Sequence, residues 1–254
     1  MRSLFHSGKP QPSAILEPVP TIFPKIAGAD VAAVFVGKRV AGDFYDSIRV
    51  SPQRVLVGLL DVAGRREDNR NILTATQDIF RKSGVELFSK PDINESDAMT
   101  ELNLRLNRGL IEASTGVRSC PAFIACYHEV FGTLCYTNAG HTPALLRDRT
   151  GIAELDSTGL PLGLFSHATS DSRIVGLEKG AALLLVSRGV ITCEGPGNGS
   201  SGEFGLERVK HLLQDVTITT TQALCSTILN SVNDFGGDLP LCDDRTALAL
   251  IRTA

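Results

Sequence analysis

Four aspartates carry the chemistry this chain could do: Asp43, Asp61 and the adjacent pair Asp243 and Asp244. Each sits at the end of, or just outside, an apolar strand-like run. The segments are Ala41-Gly42-Asp43-Phe44-Tyr45-Asp46, Leu60-Asp61-Val62-Ala63-Gly64 and Asp243-Asp244-Arg245-Thr246. A carboxylate at the mouth of a buried strand is costly unless it is paired or bound to a cation. Hard divalent ions such as magnesium or manganese take oxygen ligands, so the set points to a metal site drawn from distant parts of the chain. Taken singly, each position reads better as a solvated aspartate closing a turn; the set is what carries the expectation.

Strands and helices must bring these residues together. Val31–Val36, Phe44–Val50 and Val55–Leu60 read as three successive strands, with Ser51-Pro52-Gln53 as a hairpin turn. Asp68–Phe88 has helical spacing, with Ile72, Ala75, Ile79 and Phe80 on one face, and Asp97–Ala113 repeats it with Met99, Leu102, Leu106 and Leu110. Strands return at Ala122–Val130, Thr133–Asn138, Pro143–Arg147, Ile174–Leu177 and Ala182–Val186. Helices follow at Leu206–Leu213 and Thr221–Asp234, then a last strand at Thr246–Ile251. Strands grouped by hairpin links and helices in pairs predict antiparallel sheets covered by helices, and argue against a doubly wound parallel sheet. Residues 1–26 hold Pro10, Pro12, Pro18, Pro20 and Pro24 and read as an extended arm or linker. Residues 27–254 read as one domain.

Bulk properties remove several classes. A net charge of -3 offers no electrostatic footprint for nucleic acid or an anionic membrane surface. The first residues lack the pattern of a signal peptide, and no apolar run is long enough to span a bilayer, so a cytoplasmic location is expected. The six cysteines, at 120, 126, 135, 193, 225 and 242, include no C-x-x-C pair and read as mostly buried free thiols rather than a zinc site. Gly197-Asn198-Gly199-Ser200-Ser201-Gly202 matches G-x-G-x-x-G in form only. A dinucleotide loop needs a strand directly before it and a helix directly after it; here Glu194-Gly195-Pro196 intervenes, so a surface loop is the reading.

The ordered set of short boxes is more specific. Ala41–Asp46 resembles the G-G-D-F-Y-D box of the metal-dependent protein phosphatases, in the SpoIIE/RsbU-type branch of the PPM superfamily. Asp61-Val62-Ala63-Gly64 looks like its D-V-S-G box, and Asn138-Ala139-Gly140-His141-Thr142-Pro143 its N-A-G-H-x-P box. Gly159-Leu160-Pro161-Leu162-Gly163 is similar to G-x-P-L-G, Glu203-Phe204-Gly205 to E-F-G, and Asp243-Asp244-Arg245-Thr246 to D-D-x-T. The resemblance runs from about Pro24 to Arg252.

It implies an α+β, four-layer α/β/β/α sandwich with two mainly antiparallel sheets between helix pairs. It also implies hydrolysis of phosphoserine or phosphothreonine by a water held between two manganese or magnesium ions. Carried over box by box, Asp43 and Asp61 are ligands, with Asp61 shared by both ions and the main-chain carbonyl falling to Val62. Asp243 binds the second ion, with Asp244 beside it. Asp43, Asp61 and Asp243 are thus the catalytic set. Asp46 is either a supporting carboxylate or a strand-end residue, His141 reads as structural, and Phe44 and Tyr45 as core. In related proteins the substrate is often a small phosphorylated regulator of sigma-factor partner switching, an anti-sigma-factor antagonist.

One box departs from the family. After the run Ala182–Val186 the family carries T-D-G, whose aspartate binds the second metal; this chain has Ser187-Arg188-Gly189. A ligand has become a cation that does not deprotonate. The second box also changes, to Gly64-Arg65-Arg66-Glu67-Asp68. Three arrangements follow. The site keeps one ion and Arg188 binds the substrate phosphate. Or Arg188 fills the second-metal position against Asp243 and Asp61, leaving a catalytically silent pseudophosphatase that acts as a regulatory binding module. Or Arg188 faces solvent and Asp244, Glu194 or Glu203 replaces the lost ligand. The first expectation is a phosphatase with impaired or altered activity, using one or two ions.

Overall fold

The computed structural model describes residues 18–37, 42–64, 66–114, 119–196 and 202–254, with the side chains of 66–68 left aside. In chain order the elements are β1 (Ala29–Val36), β2 (Gly42–Ser51), β3 (Arg54–Val62), α1 (Arg66–Phe88) and α2 (Glu95–Ala113). They continue with β4 (Ala122–His128), β5 (Thr133–Ala139), β6 (Ala144–Asp148), β7 (Gly151–Leu155), β8 (Arg173–Gly176) and β9 (Ala182–Val186). Last come α3 (Arg188–Ile191), α4 (Gly205–Asp215), α5 (Thr221–Gly236) and β10 (Arg245–Arg252). One sheet has the order β1-β10-β9-β6-β7 and the other β2-β3-β4-β5-β8, and every pairing is antiparallel.

The layers follow from side-chain alternation. In β2, Phe44 and Ile48 turn toward α1 and α2, while Tyr45 turns toward the other sheet. In β3 all nine residues are buried, because helices cover one face and the partner sheet the other. A strand enclosed on both sides reads as a continuous apolar run rather than an alternating one. Three apolar layers result: α1 and α2 against the second sheet, sheet against sheet, and the first sheet against α4 and α5. The four-layer sandwich expected from the resemblance is the one observed.

The local differences have simple causes. Strand β7 escapes the sequence reading because it is an edge strand, exposed at three of its five positions. Its few apolar side chains leave little pattern to read. The strand expected to run to Val130 stops at His128, where a tight turn leaves Val130 and Phe131 exposed. The four-residue helix α3 was not foreseen, since one turn shows no periodicity. The segment 197–201, within the G-x-G-x-x-G match, lies outside the described residues, as do residues 1–17 of the arm. Of the arm, residues 18–24 follow β2: the main chain of Val19 exchanges hydrogen bonds with Gln77, and the Thr21 hydroxyl donates to Asp46.

Five of the six cysteines are buried, Cys242 is exposed, and all are free. Among the described residues no helix is long and apolar enough to cross a membrane.

Candidate metal centre and phosphoryl site

Register places the first two aspartates. Asp43 on β2 pairs directly with Asp61 on β3, and both share the alternation of the residues that face the other sheet. Two carboxylates therefore point into the space between the sheets at one end of the sandwich, and both are buried. The chain's far end reaches the same place because β10 lies in the opposite sheet: the Thr246 hydroxyl donates to Asp43 Oδ2 at 2.7 Å. Asp243 and Asp244 immediately precede β10, and Asp244 is fully covered.

Glycines let these segments approach. A side chain at Gly42 would put a Cβ 2.3 Å from the Val62 carbonyl oxygen, and one at Gly37 would put it 2.4 Å from Asp244 Oδ1. At Gly189 it would lie 2.1 Å from the main-chain oxygen of Asp244. Contacts that short do not occur, so β2, the end of β1 and α3 meet the acidic segments only because these positions lack side chains.

Arg188 stands among the carboxylates. Its Nε is 3.3 Å from Asp61 Oδ2 and its Nη2 is 3.3 Å from Asp243 Oδ2. The guanidinium thus contacts both acids while its side chain stays more than half exposed. Glu194 and Glu203, the other candidate replacements, are exposed, pair through their main chains in an isolated antiparallel β-bridge and line a neighbouring cavity. Among the described residues, no group of three or more Asp, Glu, His or Cys side chains forms a cage able to close on an ion. Asp43 and Asp61 face each other, and Arg188 spans Asp61 and Asp243.

Electrostatics follow from burial. Burial raises the Asp43 carboxyl to about 7; hydrogen bonds from Ser187 and Thr246 oppose that rise, and the charges of Asp61 and Asp244 add to it. Burial also raises Asp61, and the Arg188 charge and hydrogen bond hold it back. Below about pH 7 the folded protein thus keeps a proton on Asp43 that the unfolded chain releases above about pH 4. Between those values the unfolded state binds fewer protons, so metal-free stability falls as pH rises and levels off above about 7. The melting temperature of chelator-treated protein, followed from about pH 5 to about pH 8, is expected to drop in the parent and to drop much less in Asp43→Asn. Equal slopes in the two proteins would rule this account out.

The remaining sequence candidates have other work. Asp46 is fully buried and receives Arg81 through two bonds of 2.7 and 3.0 Å, with Gln77 and Thr21 completing its shell. It lies on the helix side of β2, away from Asp43, and clamps α1 and residue 21 to the strand. His141 is buried, closes its turn by donating its main-chain N–H to Asn138 Oδ1, and stays neutral because burial lowers it to about 4. The next residue, Thr142, donates its hydroxyl to the Val186 carbonyl, just before Ser187 and Arg188. Phe44 is core; Tyr45 is half-buried and stacks on Phe23.

Two supporting residues were not singled out from sequence. Thr246 orients Asp43, and its place in the D-D-x-T box was the available signal. Asn69, fully buried, donates from Nδ2 to the carbonyls of Val62 (3.3 Å) and Ala63 (3.0 Å), pinning the corner after Asp61. A lone asparagine in a polar run gives no hint of that.

Two antiparallel five-stranded sheets between helix pairs, with Asp43 and Asp61 facing each other at one end, are the layout expected of the PPM phosphatase class. Within it, the chain belongs to the SpoIIE family: residues 51–253 match the family described as Stage II sporulation protein E. It is 26% identical over 236 residues to the phosphoserine phosphatase RsbU of Bacillus subtilis (strain 168), covering 91% of this chain and 66% of RsbU, just under two thirds of that relative's length. The structure of the RsbU and RsbW domains of Rv1364c from Mycobacterium tuberculosis superposes with a TM-score of 0.73 at 22% identity, over 91% of this chain and 63% of that one. RsbX in complex with magnesium superposes with a TM-score of 0.60 at 14% identity, over 87% and 94%. These superpositions establish the shared fold.

Proposed function

We propose that this chain is a divalent-cation-dependent protein phosphatase domain that hydrolyses phosphoserine or phosphothreonine on a cytoplasmic protein. The substrate class, a phosphorylated regulator such as an anti-sigma-factor antagonist, follows from likeness to RsbU, named a phosphoserine phosphatase. The observation that carries the reading is the register that sets Asp43 opposite Asp61 between the sheets, where Arg188 links Asp61 to Asp243.

The donors suit a hard ion. Asp43 and Asp61 are buried carboxylates, and the missing side chain at Gly42 keeps a Cβ off the Val62 carbonyl, to which Asn69 Nδ2 donates. Asp43, Asp61 and Val62 would hold one manganese or magnesium ion. Asp243, with Asp244 behind it, would hold a second only when Arg188 moves off. Bound cations supply charge neutralisation at the phosphoryl oxygens and a lowered water pKa. The chain's own groups do the rest. Thr246 orients Asp43 through a hydrogen bond, the Ser187 hydroxyl donates to the Asp244 carbonyl, Asn69 holds the corner after Asp61, and Arg188 presents a planar donor fork that suits phosphoryl oxygens.

A second reading, a silent pseudophosphatase that signals by binding, is favoured by one observation: Arg188 contacts both Asp61 and Asp243. Turnover of an aryl phosphate and of a phosphoserine peptide, with manganese or magnesium titrated into chelator-treated protein, separates the two. Saturable, cation-dependent hydrolysis is the expected result. Silence at every cation concentration, with hydrolysis appearing in Arg188→Asp, would establish the second reading.

A further inference from the structure

Arg188 is held at its main chain and loose at its head. The Ser187 N–H donates to the Thr246 carbonyl, the Arg188 carbonyl accepts from the Thr192 N–H, and Gly189 lets the turn pack on Asp244. The side chain, by contrast, is 57% exposed and makes one long contact to each of two carboxylates rather than a forked pair with either. Exposed single contacts of this kind are worth little. The same side chain lines a cavity of about 510 Å³, together with Thr192, Glu203 and Asp243. It has somewhere to go, and little holds it where it is.

We propose that Arg188 is a displaceable internal cation. Without a phosphoryl group it fills the gap between Asp61 and Asp243; when one arrives it turns to the phosphoryl oxygens and leaves that gap to a divalent cation. The identity of the ligand rests on the phosphatase reading. A divalent ion entering alone meets a guanidinium on two of its ligands, and a phosphate entering alone meets a guanidinium already paired. Each ligand removes the other's obstacle, so the two bind with positive coupling through one side chain, and the coupling is reciprocal.

The test is calorimetric. Manganese is titrated into chelator-treated protein with and without inorganic phosphate, for the parent, Arg188→Ala and Arg188→Gln. In the parent, phosphate is expected to lower the manganese dissociation constant by on the order of tenfold or more. Both variants should bind manganese more tightly than the parent when phosphate is absent, and should retain only the smaller phosphate effect due to direct ion–phosphate contact. The same phosphate effect in all three proteins overturns the proposal, as does unchanged manganese affinity in the variants or no manganese binding in any. Melting curves confirm that the variants are folded. Aryl phosphate turnover is read separately: coupling without turnover sinks the phosphatase reading and leaves the displaceable cation standing.

Discussion

Asp61→Asn is expected to remove cation-dependent phosphate hydrolysis while leaving a folded protein at least as stable as the parent without metal. The two halves have one cause. Asp61 is buried, and burial pushes its carboxyl up, so the charged form is held at a cost in the metal-free state. Asparagine keeps the shape and removes that cost. It also removes the one carboxylate placed to serve both sides of the site, opposite Asp43 and against Arg188. Cation charge stabilisation is worth several kcal/mol to a transition state, so turnover should fall by on the order of 100- to 1,000-fold. Measured together, turnover and metal-free melting temperature give the answer. A variant with near-parent turnover, or one that melts well below the parent, would refute the assignment of Asp61.

Arg188→Asp is expected to act in the opposite direction. It replaces the guanidinium that spans Asp61 and Asp243 with a further carboxylate beside them. Without metal this crowds like charges, and the variant should melt below the parent. With metal, a repulsion becomes an attraction. Unit charges about 4 Å apart interact by roughly 4 kcal/mol where the effective dielectric is near 20. Solvent screening at this half-open position reduces that, so the cation concentration for half-maximal turnover should fall by at least about tenfold. The gap in melting temperature between metal-free and metal-loaded protein should widen in step. An unchanged cation requirement would show that Arg188 does not occupy a ligand position.

Much of this site was legible in one dimension because its parts lie at strand ends. A strand buried on both faces, such as Arg54–Val62, announces itself as an unbroken apolar run, and an aspartate at its end stands out against that run. The short boxes around Asp43, Asp61, His141 and Asp243 kept their order along the chain, and with them came the sandwich. Asp46 shows the limit. It sits three residues from Asp43 in the same box, yet alternation turns it to the helix side, where Arg81 and Gln77 enclose it. Sequence left its role open between two readings, because box membership does not say which face of the sheet a residue takes. The edge strand Gly151–Leu155 and the single turn Arg188–Ile191 were illegible for a different reason: neither buries enough apolar surface to leave a pattern.

Amino-acid order alone pointed to the family, the layered architecture and an arginine where the resembled T-D-G box has an acid. Each of these rests on local residue types and on hydrophobic runs that one chain displays directly. Only the tertiary structure decided where that arginine turns. Sequence allowed it to face solvent, a phosphate or the carboxylates. The choice depends on a turn after β9 packing against the segment before β10, across a glycine with no room for a side chain. Charges separated by more than a hundred residues become neighbours there, and their balance is a property of that meeting and of no single segment.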